Sequence, residues 1–402
     1  MPVVLARIVP QLAATVAAAA YAGLAMLSGL DRLATEDAEI PASVHWPYAR
    51  SAAYNAALQA SAKGQWDAAQ ALMTRALYAD PVNEHTIGGL GQVRLWAGNT
   101  AGADAAFRIS MQRGWRDPAT HLYWMARSID VGDFATATVH ADALLRAPLD
   151  DKGRAQIVNP LLEYDGGRDA LAARLRQRPQ WADAFVWDAD SEPAEALRAR
   201  ADVVARAGHG IWSCPTARVL IDRLIKYDLT DDAKAVHGVS CVPASKPTSA
   251  DRRNADLIND PTFTLFLAGG DTSVLDWHAP DTADEVIDSA SGGDDRSGLH
   301  IASTRGVAMR VLSQRVVVHP GTYRLTWQMS DAAAARGLRA EMKCDSDLAG
   351  AASGEPVAGS GNAYAANLHF AGGCMAPTLA FWIVPPTKAV TLNAVHLERV
   401  LD

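Results

Sequence analysis

Cysteines, histidines, carboxylates and aromatic rings are the side chains with which this chain could hold a metal, cleave a bond or grip a sugar. Its four cysteines stand at 214, 241, 344 and 374, and none forms a CxxC pair. A zinc ribbon uses such pairs to bring two thiolates to one ion, so the spacing argues against it. Two readings remain for Cys214, Cys241, Cys344 and Cys374: four buried thiols, or two local disulfides, one in each half of the body, which would suit an oxidising compartment. The eleven histidines are scattered, with no i, i+4 pair on a convincing helix. No HExxH, GxSxG, Walker A or dinucleotide fingerprint falls in the context it requires. These absences favour a chain without catalytic residues, metal or cofactor. A carboxylate pair for glycoside cleavage would leave no such trace, because its members meet only in space. Asp271, Asp294 and Asp295 could serve a structural calcium, yet they match no complete loop.

Sugar binding needs an aromatic platform beside hydrogen-bonding side chains. By composition the candidates are Trp277 with His278, and Tyr364 with Asn367 and His369. Core packing competes as the role of both aromatics. Trp327 reads as core, because Tyr323, Leu325, Trp327 and Met329 alternate with Arg324, Thr326 and Gln328 in the period of a half-buried strand. Pro320-Gly321 reads as a turn, with Val316 to Val318 ahead of it as the hairpin partner. Leu338 to Cys344, Leu379 to Val384 and Val390 to Leu397 supply further strands, so residues 255–402 are expected to form an antiparallel β-sandwich. In layout, Asn259-Asp260-Pro261-Thr262-Phe263, Trp277, the SQRVVVHPGTYRLTWQM segment and the closing LNAVHLERV make this region similar to jelly-roll carbohydrate-binding modules and galactose-binding-like domains. The resemblance implies a glycan or a second protein as ligand.

Ahead of the sandwich the pattern is helical and repeats. Gly64, Gly98, Gly132 and Gly166 stand 34 residues apart, with Ala69, Ala103, Ala137 and Leu171 five residues beyond each. That period belongs to a helix–turn–helix solenoid unit, with the glycine ending one helix in the left-handed conformation. On Leu90-Gly91, Gly98, Ala103 and Phe107, with Gly64, Ala69, Ala76 and Pro81 before them, the segment resembles the tetratricopeptide repeat. Pro160, inside the first helix of the fourth repeat, weakens that copy. The resemblance implies a groove lined by the first helix of each hairpin, presenting Tyr54, Leu58, Gln92, Trp96, Leu122, Ile129 and Asp130 to a protein partner. Packing between hairpins competes as the role of Trp96 and Leu122. Ser191 and Pro193 open a later helix to about Arg206, and helices near 215–227 and 231–236 would close the array between Cys214 and Cys241.

No charged residue occurs from Ile8 through Leu30, which is 23 residues and long enough to span a bilayer. Arg7 before it and Asp31, Glu36, Asp37 and Glu39 after it favour a body outside the cytoplasm. An uncleaved anchor, a signal cleaved after Ala22 and a buried soluble helix are the readings. The fold class expected is therefore multidomain α plus all-β. Its parts are a membrane anchor or signal segment at 1–32, a spacer at 33–47, a tetratricopeptide-like α-solenoid with capping helices at 48–241, a linker at 242–254 and the sandwich at 255–402. With a net charge of −8 the chain has no basic stripe for nucleic acid. The function expected is a membrane-anchored, non-catalytic envelope scaffold in the periplasm, placed by its domain combination in polysaccharide assembly or export. The alternatives are a secreted carbohydrate-active hydrolase or its accessory subunit, and a purely structural assembly protein.

Overall fold

The computed structural model describes residues 2–34, 49–114, 116–188, 192–242, 257–269, 273–280, 285–290, 298–329, 337–344, 363–387 and 389–400. Among the described residues are fourteen helices followed by two antiparallel sheets, so the α plus all-β class holds. The chain divides into two compact units, Met1–Asp150 and Asp151–Asp402.

The first unit opens with α1 (Pro2–Leu33), whose Ala13–Leu33 portion has a mean hydropathy of 1.6 over a length that can cross a bilayer. Its last turn does not hang free. Leu27 and Leu30 pack with Ala34, Ala49 and Ala52. The Asp31 carboxylate accepts the backbone N–H of Ala52 at 3.0 Å, in the first turn of α2 (Arg50–Ala62), where Ala49 makes no side-chain cap. Residues 35–48, most of the expected spacer, lie outside the described set.

Three hairpins follow: α2 with α3 (Trp66–Ala79), α4 (Glu84–Trp96) with α5 (Thr100–Arg113), and α6 (Pro118–Asp130) with α7 (Phe134–Leu145). Each turns on the same bonds. Gly64, Gly98 and Gly132 have φ of 70°, 78° and 75°, the left-handed region open to glycine. The next N–H reaches back to a carbonyl of the last helical turn: Gln65 to Ala60, Asn99 to Arg94 and Asp133 to Ser128. Helix starts repeat as well. Asn83, Asn99, Asp117 and Asp133 each accept the N–H three residues on, satisfying a donor that the helix leaves unpaired.

Gly166 departs from expectation. It lies inside α9 (Asp165–Leu175), and does not end α8 (Asp151–Leu162), which contains Pro160 near its close. The fourth copy of the turn comes at Asp228, with φ of 57°. It joins α12 (Cys214–Lys226) to α13 (Thr230–Ser240), and Leu229 N–H bonds Leu224 O at 2.8 Å. Aspartate tolerates this conformation better than most residues. Between these pairs lie α10 (Ala182–Trp187) and α11 (Ala194–Ala207), the latter with Pro193 at its N-cap. Ser191, expected there, lies outside the described residues. Cys214–Cys241 bridges the start of α12 to the end of α13, and Cys344–Cys374 bridges the sandwich, so all four cysteines are paired.

The sandwich has a five-stranded sheet in the order β1-β2-β8-β4-β6 and a three-stranded sheet in the order β3-β7-β5. The strands are β1 (Glu285–Ala290), β2 (Gly298–Ser303), β3 (Met309–Arg315), β4 (Gly321–Met329), β5 (Leu338–Lys343), β6 (Ala363–Phe370), β7 (Thr378–Ile383) and β8 (Ala389–Arg399). Tyr323, Leu325, Trp327 and Met329 point into the core, as their alternation requires. Val316 to Val318 is no hairpin partner for β4. This buried run leaves β3, and Val316 and Val318 donate to the carbonyls of Pro377 and Met375. It carries the chain from one sheet to the other, so β4 pairs with β6 and β8. Three successive valines suit a strand, but here they are apolar because the crossing segment is buried on all sides.

Candidate functional site

The residues expected to line a groove lie on α2, α4 and α6. Tyr54 and Leu58 are half-buried and pack against Ala57, Met73 and Leu90. Gln92 and Ile129 are half-buried, and Asp130 is exposed. Leu122 and Trp96 leave 46% and 48% of their surface in solvent, and Ile109 of α5 and Tyr78 of α3 leave 48% and 82%. Trp96 closes α4 beside the Gly98 turn, and its ring meets that of Trp66, the first residue of α3, at 6.1 Å. Trp96 therefore stands at the turn edge of the hairpins, next to a second indole.

Three glycines in α4 bring its neighbours close. A Cβ at Gly89 would lie 2.9 Å from the Tyr54 ring, and one at Gly91 would lie 3.0 Å from Phe107. A Cβ at Gly88 would lie 1.9 Å from Asp117 Oδ2. Each helical glycine costs about 1 kcal/mol against alanine, so the packing must repay about 3 kcal/mol. The sequence pattern did not single out what this closeness builds. Buried Asp117 accepts from Thr120 N at 2.9 Å and from the Thr120 hydroxyl, and its Oδ1 lies 3.3 Å from Nδ1 of His85. The Thr120 hydroxyl also meets Ser110 Oγ at 2.8 Å, and Ser110 donates to Glu84 O at 3.0 Å. Burial and then the Asp117 charge raise the pKa of Tyr54, against the pull of Arg50. The available signal was the N-cap aspartate followed by proline.

A second buried pair joins α6 to α7, where Nδ1 of His121 and Nδ1 of His140 are 3.0 Å apart. Burial, then the neighbouring His121, lowers the His140 pKa to about 4.

In the sandwich, the aromatic platform candidates are core residues. Trp277 is 1% exposed, with Phe263 and Phe381 at ring distances of 5.5 and 6.0 Å and its indole N–H given to Asp260 O at 3.1 Å. Tyr364 is 7% exposed and stacks on Trp327 at 6.2 Å. A sugar can lie on neither ring. His278 is half-buried, with Nε2 2.7 Å from Ser273 O. Asn367 and His369 are exposed on the outer face of β6, beside Arg324 and Thr322 of β4 in register. The structure thus separates Tyr364 from the two polar residues named with it, because alternate residues of a strand face opposite ways. Asp271, Asp294 and Asp295 lie outside the described residues.

A polar knot ties the last helices to the sandwich. His237 on α13 and Asp276 meet at 2.8 Å, with 3% and 6% of their side chains exposed. Asp276 Oδ2 accepts Ser273 N at 2.8 Å and Ser273 Oγ at 3.0 Å. Burial pushes the Asp276 carboxyl up, but the bonds from His237 and Ser273 outweigh it and hold its pKa below the usual value. The Asp276 carboxylate faces Cys214 and Cys241, whose sulfurs are joined to each other and so are not offered to an ion.

No protein family matches the sequence, and no curated protein matches it. Among solved structures, the enzymatically active domain of bacteriophage CBA120 tailspike protein 4 is 12% identical with a TM-score of 0.26, covering 36% of this chain and 21% of that one. A structure of TmCBM61 in complex with β-1,4-galactotriose is 13% identical with a TM-score of 0.25, covering 36% of this chain and 99% of that one. Likenesses this distant leave function to the geometry.

Proposed function

We propose that this chain is a non-catalytic, membrane-anchored scaffold of the cell envelope. Its tetratricopeptide-like groove binds a segment of a protein partner, and its sandwich region binds a glycan, in the service of polysaccharide assembly or export. The observation that carries the reading is the exposure of Leu122 and Trp96, at 46% and 48%, on helices whose other large apolar residues are mostly covered. An exposed aromatic such as Trp96, paired with the Trp66 ring at 6.1 Å, is the kind of side chain that anchors a partner segment. The apolar α1 and the two disulfides support an anchored body in an oxidising compartment. Affinity capture with the full chain in detergent tests the groove. A partner retained by the native protein and lost by the folded Trp96→Ala/Leu122→Ala variant supports the assignment. Equal capture by both proteins refutes it.

A further inference from the structure

Between α12 and the sandwich, inside the second unit, lies a cleft of about 480 Å³, in the size range of small-molecule sites. Ile225, Val274 and the Cys344–Cys374 disulfide give it an apolar wall. Asp222, Lys226, Asp228 and Arg315 supply its polar groups, two of each sign. One of them is incompletely satisfied. Asp222 Oδ2 lies 3.4 Å from Arg218 Nε, whereas Oδ1 is buried with no hydrogen-bond partner among the described residues. A buried carboxylate oxygen without a donor calls for one.

We infer that this cleft is a binding site for a neutral saccharide on the order of one or two sugar rings. The four lining charges cancel, so no net field selects an ion. An ion of either sign would meet two repelling groups beside two attracting ones, and gains no net attraction. A hydroxyl group is both donor and acceptor, so one kind of ligand group can donate to the Asp222 and Asp228 carboxylates and accept from Lys226 and Arg315. The C–H face of a sugar ring suits the wall of Ile225, Val274 and the disulfide. This inference rests on the glycan-binding part of the proposed function. It places the sugar in the seam, away from the Asn367 and His369 face of β6.

The test is binding of the full chain in detergent to an array of neutral and charged oligosaccharides, followed by titration with the best neutral disaccharide. Asp222→Ala and Lys226→Ala are expected to weaken binding at least about tenfold, the loss of a charged hydrogen bond. The Asn367→Ala/His369→Ala variant is expected to bind like the native chain. Asp222→Asn, nearly isosteric, replaces Asp222→Ala if that variant fails to fold by circular dichroism. Binding kept in the Asp222 and Lys226 variants but lost in the Asn367/His369 variant overturns the cleft and preserves a glycan-binding sandwich. A preference for charged glycans also overturns the cleft. Failure of the native chain to bind any glycan overturns the glycan reading together with the cleft.

Discussion

Arg154 grips Asp188 with two nitrogens, Nε to Oδ2 at 2.6 Å and Nη2 to Oδ1 at 2.9 Å, across a sequence separation of 34. Arg198 and Asp232 are also 34 apart, in a looser contact of 3.4 Å. Two ion pairs in the second unit thus span the same interval as the glycine spacing of the first. The two pairs differ in worth. The Asp188 side chain is 6% exposed, so Arg154→Ala leaves a buried charge and is expected to cost about 2–3 kcal/mol. The Arg198 side chain is 63% exposed, and Arg198→Ala is expected to cost about 0.5 kcal/mol or less. Urea midpoints of the two variants measure the difference, and equal losses would contradict it.

Gly88→Ala is expected to destabilise the first unit by about 1–3 kcal/mol despite the better helix propensity of alanine, because the new Cβ takes the place of Asp117 Oδ2. Asp117→Ala should cost about 1–2 kcal/mol through the lost cap of α6. The double variant should be less destabilised than the sum, since removing the carboxylate makes room for the methyl group. Strict additivity in denaturation would show that the two positions do not meet.

The buried histidine pair gives the first unit an acid sensitivity of known sign. In the denatured chain His140 takes up a proton near its ordinary pKa of 6.5, whereas in the folded chain it resists protonation to about 4. Below pH 6.5 the unfolded state binds more protons, so stability falls with pH through that window, by about 3 kcal/mol in full. His140→Gln should flatten the slope of melting temperature between pH 6.5 and 4 relative to the native chain. An unchanged slope would rule out His140 as its source.

His237→Ala is expected to strand the Asp276 carboxylate in a buried site, at a cost of about 3 kcal/mol. Its structural effect should centre on the attachment of α13 to the sandwich, read as a separate calorimetric transition. Asp276→Asn paired with His237→Ala should recover part of the loss, because the buried charge is then removed.

Much of the architecture was legible because it rests on strictly spaced residues. Gly64, Gly98 and Gly132 mark turns that need a positive φ, and the alternation around Trp327 marks a strand with one face inward. The sequence places the α12–α13 turn between helices near 215–227 and 231–236, but its likeness to the glycine turns is hidden because Asp228 fills the left-handed position. The candidate site was legible in part. Trp96 and Leu122 are open to solvent, as a contact surface requires. Trp277 and Tyr364 are not, because composition cannot tell an aromatic platform from an aromatic core. The Asp117 network, the His121–His140 pair and the Asp222 cleft draw on residues from different helices or from helix and sandwich, so no local pattern could assemble them.

The Asp31 carboxylate that caps α2 has a mechanical consequence for an anchored protein. If α1 sits in a bilayer as proposed, the Asp31–Ala52 bond and the packing of Leu27 and Leu30 on Ala49 and Ala52 tie its end to the first turn of α2. A change in the tilt of α1, whether from bilayer thickness or from a neighbouring helix, would swing the first hairpin through a similar angle. The proposed anchor would then act as a lever on the helices that carry Trp96 and Leu122.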